Sequence, residues 1–327
     1  GSQEFVQLVE TRGGRMISLI GAPCDAGANM AGAALGPCAL RRAGVQQGLQ
    51  KIGCKVIDRG DLKIPTSEPH VEVQGYRNFH EVLAWNRAVY AAVADALNVG
   101  DIPVLLGGDH SLAMGSISAV ASNCQRQNKE LRVLWLDAHA DFNTANTSIT
   151  GNMHGMPLTA LCGQGPSELT ELAGFAPALR ASQIRLLGVR SVDPEERRAV
   201  RRAALPMLTM RHIQGRGIIQ AMNIALSDIE PGTHLHVSFD VDCLDPLVLP
   251  GVSTPEDGGL QLDSLRYCMA RIAQTGCVGS VDLVELNPAA DPTGSSAQRA
   301  VELLTVLLNP HWERHVQRSF DWAEHAG

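Results

Sequence analysis

An apolar run of strand length, Leu131–Leu136, ends in Asp137-Ala138-His139-Ala140-Asp141. A strand sends residues i and i+2 to the same side, so extended geometry carried through this exit projects Asp137, His139 and Asp141 together. Two carboxylates and an imidazole crowded at a strand end repel one another and desolvate poorly unless a cation sits among them. The arrangement recurs downstream. Residues 234–239 form a second β-rich run that leads into Asp240-Val241-Asp242, where the same period puts both carboxylates on one face. A third run, residues 102–106, ends in Gly107-Gly108-Asp109-His110-Ser111, and its glycine pair permits a tight turn and a close backbone approach.

His110, Asp137, His139, Asp141, Asp240 and Asp242 offer only carboxylate oxygen and imidazole nitrogen, a donor set for Mn²⁺, Mg²⁺, Fe²⁺ or Zn²⁺. One ion would leave carboxylates unused. Two ions ~3.5–4 Å apart, bridged by shared aspartates and a water, use them all, and such a water becomes a hydroxide near neutral pH. Glu285, in Val281-Asp282-Leu283-Val284-Glu285-Leu286-Asn287-Pro288, ends a further strand and adds a carboxylate.

The elements that must position these groups alternate. Strand-like runs at residues 16–20, 54–57, 102–106, 131–136, 184–189, 207–210, 235–239 and 277–284 are separated or followed by helical stretches. Gly36-Pro37 opens a helix that should run to Gly53, and a longer one spans about 78–97 with Val82, Trp85, Val89, Val93 and Ala96 as its buried stripe. Asp193-Pro194-Glu195-Glu196 caps another, and further helices are expected near 111–124, 213–226, 262–273 and 294–308. No Asn-Gly hairpin signal interrupts this order, so the sheet should be mostly parallel and covered on both faces. Its sites then belong at the strands' carboxyl ends, where all the candidate ligands lie. The polar loop from Phe142 to Pro157 is too long for a plain connection and suits the lining of a site.

The 327 residues are 45% apolar and 19% charged, with a net charge of −7 and no long basic block. That balance excludes nucleic acid or an anionic membrane as the main partner, and no apolar run reaches the ~20 residues of a membrane span. Eight scattered cysteines without a Cys-x-x-Cys pair, several in apolar runs (Cys54, Cys162, Cys277), suit reduced, buried thiols in a cytoplasmic compartment. Residues 1–15 lack the pattern of a signal peptide and read as a leader or vector-derived segment, leaving 16–327 as a single domain.

Taken in order, Gly107-Gly-Asp-His-Ser, Asp137-Ala-His-Ala-Asp, Ser238-Phe-Asp-Val-Asp-Cys-Leu-Asp-Pro and Glu285-Leu-Asn-Pro resemble the signature set of the ureohydrolases, from Met16 to about Leu308. The resemblance implies a three-layer α/β/α fold around an eight-stranded, mostly parallel sheet, and two Mn²⁺ per subunit. It also implies hydrolysis of a guanidino group to urea and an amine by a metal-bridging hydroxide. One metal would be held by His110, Asp137, Asp141 and Asp240, the other by Asp137, His139, Asp240 and Asp242.

Within the family the 143–157 loop and the opening Ile20-Gly-Ala-Pro are most similar to arginases, implying L-arginine as substrate and L-ornithine as product. On that likeness Asn143 and Thr150 match the α-carboxylate side and Asp193 and Glu196 the α-ammonium side. His154 matches the proton shuttle, a role suited to an unperturbed pKa near ~6.5. Glu285 would pair with the guanidinium, Asp141 would relay a proton, and Thr254 joins the substrate contacts. The family often forms homotrimers or homohexamers. Thr150 stands where arginases usually carry Ser and Ser191 where many have Asp, while Thr254-Pro-Glu-Asp-Gly-Gly reads partly like the agmatinase branch.

Other readings stay open: an agmatinase or guanidinobutyrase-type ureohydrolase, a non-catalytic metal-binding homologue, and a two-metal phosphoesterase. The last would want a Lys or Arg cluster that the strand exits lack. His70, His80, His212, His234, His236, His311, His315 and His325 read as structural or surface residues.

Overall fold

Runs rich in Val, Ile and Leu that alternate with helical stretches cannot close as hairpins, so they pair in parallel through crossover helices. The computed structural model, which describes residues 15–64 and 72–309, has this architecture. Its strands are β1 (Met16–Ala22), β2 (Lys55–Asp61), β3 (Ile102–Gly107), β4 (Leu131–Leu136), β5 (Ile184–Leu187), β6 (Met207–Leu208), β7 (His234–Asp240) and β8 (Val278–Val284). They form one sheet in the order β2-β1-β3-β8-β7-β4-β5-β6, with every strand pair parallel. The strands carrying the candidate ligands are far apart in sequence yet lie side by side as β3-β8-β7-β4. Because all point the same way, their exits meet at one edge.

The helices are α1 (Gly36–Arg42), α2 (Val45–Lys51), α3 (Phe79–Asn98), α4 (Ala113–Gln127), α5 (Pro157–Leu161), α6 (Ser167–Thr170), α7 (Pro194–Ala203), α8 (Met210–Arg216), α9 (Ile218–Ala225), α10 (Leu262–Gln274) and α11 (Ser295–Leu307). They divide between the sheet's two faces. On one, Val89 of α3, Ile117 of α4 and Val200 of α7 share a core with Leu105, Val133 and Trp135. On the other, Leu40 of α1, Leu265 of α10 and Leu304 of α11 share a core with Val104, Leu134, Leu136 and Phe239. Successive residues of β4 thus feed opposite cores, as the period of a strand requires. The expected α/β/α layering and the α3 stripe are both present, with Val82, Trp85, Val89, Val93 and Ala96 all buried.

Several local expectations are corrected. The helix expected from Gly36 to Gly53 is two, α1 and α2, separated at Gly44, whose φ of 85° lies in the left-handed region. Gly217, at φ 89°, likewise divides the helix expected over 213–226 into α8 and α9. The short helices α5 and α6 were not anticipated, having too few turns for a periodic signal. Cys54, Cys162 and Cys277 are only partly buried, contrary to expectation; the buried thiols are Cys24, Cys124, Cys243 and Cys268.

The leader expected at residues 1–15 lies, apart from Arg15, outside the described residues, as do Pro65, Pro69, His70, His311, His315 and His325. No helix among the described residues is long and apolar enough to cross a membrane.

Candidate metal centre

The four central exits deliver their acidic and imidazole groups to one place, though not by the extended path that alternation predicts. Asp141 takes φ 50°, a left-handed conformation outside any strand. Asp242 lies on a 3-10 turn, Val241–Cys243, begun by its own N–H donating to Oδ1 of Asp240 at 2.9 Å. Both are turned into the site by local side-chain-to-backbone hydrogen bonding or backbone strain rather than by the period of a strand.

Around Nδ1 of His110 stand Oδ2 of Asp137 at 3.0 Å, Oδ2 of Asp141 at 3.1 Å and Oδ2 of Asp240 at 3.2 Å. The contact with Asp141 lacks hydrogen-bond geometry, and its Oδ2 is buried without a hydrogen-bond partner. One ring N–H cannot serve three carboxylates, whereas a cation can. Ligand atoms of His110, Asp137, Asp141 and Asp240 lie within 4.8 Å of one another, and so do those of Asp137, His139 and Asp242. Asp137 belongs to both groups. Asp240, expected to bridge as well, falls only in the first.

The electrostatics point the same way. Burial and the charge of Asp137 push the carboxyls of Asp141, Asp240 and Asp242 above the usual carboxylate range. Burial opposes the charge on His110 and His139, but the surrounding carboxylates hold both well above the ordinary imidazole value. Without a cation the cluster therefore stores protons. The donor set, the crowding about Nδ1 and the orphaned Asp141 oxygen all fit divalent metal.

His110 is held from behind. Its ring stacks on Trp135 with centroids 4.0 Å apart, and Nε2 lies 2.8 Å from Oγ of Ser238. Asp282 fixes the direction of that bond. Its Oδ2 accepts from Oγ of Ser238 at 2.9 Å, so the hydroxyl proton is spent there and a lone pair receives the Nε2–H of His110. Nδ1 is left for the carboxylate side, where its lone pair would be the one offered to a metal.

Glu285, at φ 70°, accepts the His110 backbone N–H at 2.8 Å and faces Nδ1 of His154 at 2.9 Å, both through Oε1. Oε2 is buried without a partner. His154 departs from the expected unperturbed pKa. Burial acts to lower it, but Glu285 prevails and the ring is raised to about 9.

His139, Asp141, His154, Asp240, Asp242 and Glu285 line a cavity of about 340 Å³ together with Asn143, Thr150, Asp193, Glu196, Thr254 and Glu256. Asn143 donates from Nδ2 to Oδ2 of Asp193 at 3.2 Å. Glu196 is buried with both oxygens engaged, Oε1 by the Asp193 N–H and Oε2 by the Phe142 N–H. It is the N3 partner of Asp193 in the capping box of α7, so it braces Asp193 and the loop after β4. Thr150 is exposed at the mouth, and Thr254 Oγ1 reaches Oδ2 of Asp242 at 3.5 Å.

Sequence reasoning missed three residues. Glu256 meets Nε2 of His139 at 3.2 Å; only the departure of its loop from the arginase pattern hinted at it. Arg190 donates to the carbonyls of Gly188, Asp242, Cys243, Leu244 and Glu256, and nothing in the sequence signalled this. Asp109, beside His110 in a quoted motif, accepts the Gly27 N–H at 2.9 Å and pins the loop after β1.

Comparison with known proteins agrees with this geometry. The model of the Arginase family matches residues 15–309. The chain is 36% identical over 293 residues to the arginase of Brevibacillus brevis, covering 89% of this chain and 97% of that one. It is 37% identical over 296 residues to the arginase of Bacillus caldovelox, with coverages of 89% and 97%. The solved structure of arginase from Bacillus caldovelox superposes with a TM-score of 0.84 at 36% identity, covering 90% of this chain and 98% of that one. The chain belongs to the arginase family.

Proposed function

We propose that the protein hydrolyses the guanidino group of L-arginine to L-ornithine and urea, with two Mn²⁺ per subunit. The observation that carries this is the pair of buried, hydrogen-bond-free oxygens, Asp141 Oδ2 and Glu285 Oε2, in one cavity whose walls, among the described residues, carry no Lys or Arg. Buried acceptors left unpaired are costly, and a site that keeps two of them is built to receive positive charge.

His110, Asp137, Asp141 and Asp240 would hold one ion; Asp137, His139 and Asp242, with Asp240 adjacent, would hold the other. Bound there, divalent ions supply Lewis acidity and a water acidified enough to attack near neutral pH. The chain's own groups do the rest. Glu285 Oε2 accepts from the guanidinium, which stays charged at any working pH, and so orients its carbon toward the aspartates. Asp141 Oδ2 faces the same space and relays the proton released in the attack. His154, held by Glu285 and partly open to solvent, brings protons to the departing amine.

At the mouth Asp193 takes the α-ammonium, braced by Glu196, while Asn143 and Thr150 offer neutral donors to the α-carboxylate and Thr254 completes the wall. The polar walls suit an amino acid better than a bare amine, which favours arginine over agmatine. Cysteines dispersed through the fold, several of them buried, support a cytoplasmic setting, and residues 16–327 are taken as one domain that assembles as a homotrimer or homohexamer.

The test is urea release from arginine, agmatine and 4-guanidinobutyrate by the Mn²⁺-loaded protein. Arginine should exceed the others by at least about 100-fold in kcat/KM, since each lacks a charged group for which the mouth supplies partners. Equal or greater turnover of agmatine would transfer the protein to the rival ureohydrolase reading.

A further inference from the structure

The two imidazoles of the metal centre are supported in different ways. His110 is fully enclosed, stacked on Trp135 and tied to Ser238. His139 has 23% of its side chain exposed, so packing alone does not fix its ring. Its Nδ1 lies 3.1 Å from Oδ2 of Asp242 and 3.4 Å from Oδ1 of Asp137, on the metal side. Its Nε2 lies 3.2 Å from Oε1 of Glu256.

We propose that Glu256 is the positioning residue for His139, fixing the tautomer that turns the Nδ1 lone pair to the second metal. A carboxylate can only accept, so Nε2 must carry the proton and Nδ1 must be bare. A carboxylate behind a ligating imidazole also raises its basicity, and loss of such a partner typically costs about 10–100-fold in metal affinity.

Glu256 is itself built into place. Arg190 grips its backbone carbonyl with Nε at 3.0 Å and Nη2 at 2.8 Å, and the same Nη2 holds the carbonyl of Asp242 at 2.8 Å. One guanidinium therefore locks the Glu256 loop to the turn that carries a metal ligand. The backbone of Ser191, which lines the same cavity as Glu256, bridges to that of His139. Gly259 leaves room for this clamp, because a Cβ there would come within 2.5 Å of Arg190 Nη2.

The proposal rests on the two-metal reading above, and the experiment separates them. Metal-stripped wild type, Glu256→Ala and Glu256→Gln are titrated with Mn²⁺ by calorimetry and electron paramagnetic resonance, with no substrate present. Wild type should take up two ions and show an exchange-coupled pair. Glu256→Ala should keep the first affinity, lose about 10–100-fold in the second, and show an uncoupled single-ion spectrum at one equivalent. Glu256→Gln, which keeps an acceptor, should recover part of the loss.

Second-site affinity unmoved in Glu256→Ala overturns the proposal alone. So does equal weakening of both sites accompanied by a lower melting temperature of the metal-free protein, the sign of a merely structural role. Wild type binding fewer than two ions overturns it together with the functional reading.

Discussion

Glu285 presents Oε1 to Nδ1 of His154 at 2.9 Å and leaves Oε2 buried and unpaired. One carboxylate thus serves two cations, an imidazolium on one oxygen and an incoming guanidinium on the other. Its charge is what holds the proton on His154 against burial, at a pKa of about 9. Glu285→Gln keeps the shape and removes the charge. In the metal-free protein, the His154 titration followed by NMR should fall from about 9 to near or below the ordinary ~6.5. Under turnover the same variant should lose about 100-fold in kcat/KM for arginine, the scale of one charge-assisted hydrogen bond. A His154 curve that stays put would show that Glu285 is not its counter-ion.

Removal of metal should make stability depend on alkalinity. His110, His139 and His154 all have folded pKa values above the unfolded ~6.5. Groups raised in this way contribute stability that is complete below ~6.5 and is lost as pH climbs through the folded values. Urea denaturation of EDTA-treated protein should therefore show stability falling between pH 6.5 and 8.5, by up to about 1.4 kcal/mol per pH unit per histidine. With Mn²⁺ bound, His110 and His139 are neutral ligands, so the decline should shrink and the stabilisation by metal should grow with pH. Parallel curves with and without metal would contradict this account.

The metal ligands were legible because they sit at strand ends, where a run of Val and Leu has no other reason to finish in Asp-x-His-x-Asp. Their convergence was legible too, although Asp141 and Asp242 reach the site by a left-handed residue and a 3-10 turn that alternation does not describe. The breaks at Gly44 and Gly217 were hidden, since a glycine inside an apolar period is tolerated in one helix or ends another depending on what packs beyond it. Glu256 and Arg190 were hidden more deeply. Each acts across a loop on residues distant in the chain, and their value lies in the direction of a hydrogen bond, which residue type and spacing do not encode.

Gly27 joins Asp109 to the proton shuttle. Its N–H donates to Oδ2 of Asp109 at 2.9 Å, and its carbonyl accepts the backbone N–H of His154, also at 2.9 Å. A Cβ at this position would stand 2.5 Å from Oδ1 of Asp109 and 2.6 Å from Oγ of Ser111. Asp109 is fully buried and cannot swing aside, so the Gly27 strand of the loop must move and carry His154 with it. Gly27→Ala should cost about 1–3 kcal/mol of stability by overpacking and lower kcat about 10–100-fold, the scale of a misplacement of about 1 Å. Mn²⁺ stoichiometry, set by other strands, should stay at the wild-type value. Unchanged kcat would break the link between this loop and the shuttle.

Acid sensitivity should trace in part to His234, far from the metal centre. Its Nε2 lies 2.8 Å from Oγ of Ser280, which also meets Nδ1 of His236 at 2.7 Å, and Nε2 of His236 reaches Oδ2 of Asp282 at 2.7 Å. Because Asp282 only accepts, His236 donates to it and takes the Ser280 proton at Nδ1; Ser280 then accepts from His234. Burial above all, with the nearby charges of Lys129 and Arg15, pushes His234 down to about 3. In the unfolded chain it titrates near ~6.5, so below that pH the unfolded state binds a proton the folded state refuses, and stability falls on acidification. Between pH 6.5 and 5 this one group should cost about 2 kcal/mol, at about 1.4 kcal/mol per unit. His234→Gln keeps an N–H for Ser280 and cannot take up the proton. Metal-site groups titrate alike in both metal-stripped proteins and cancel in the difference, so urea denaturation of the variant should lose about 2 kcal/mol less over that window. If the variant proves as acid-labile as the parent, the buried imidazole is not where the proton enters.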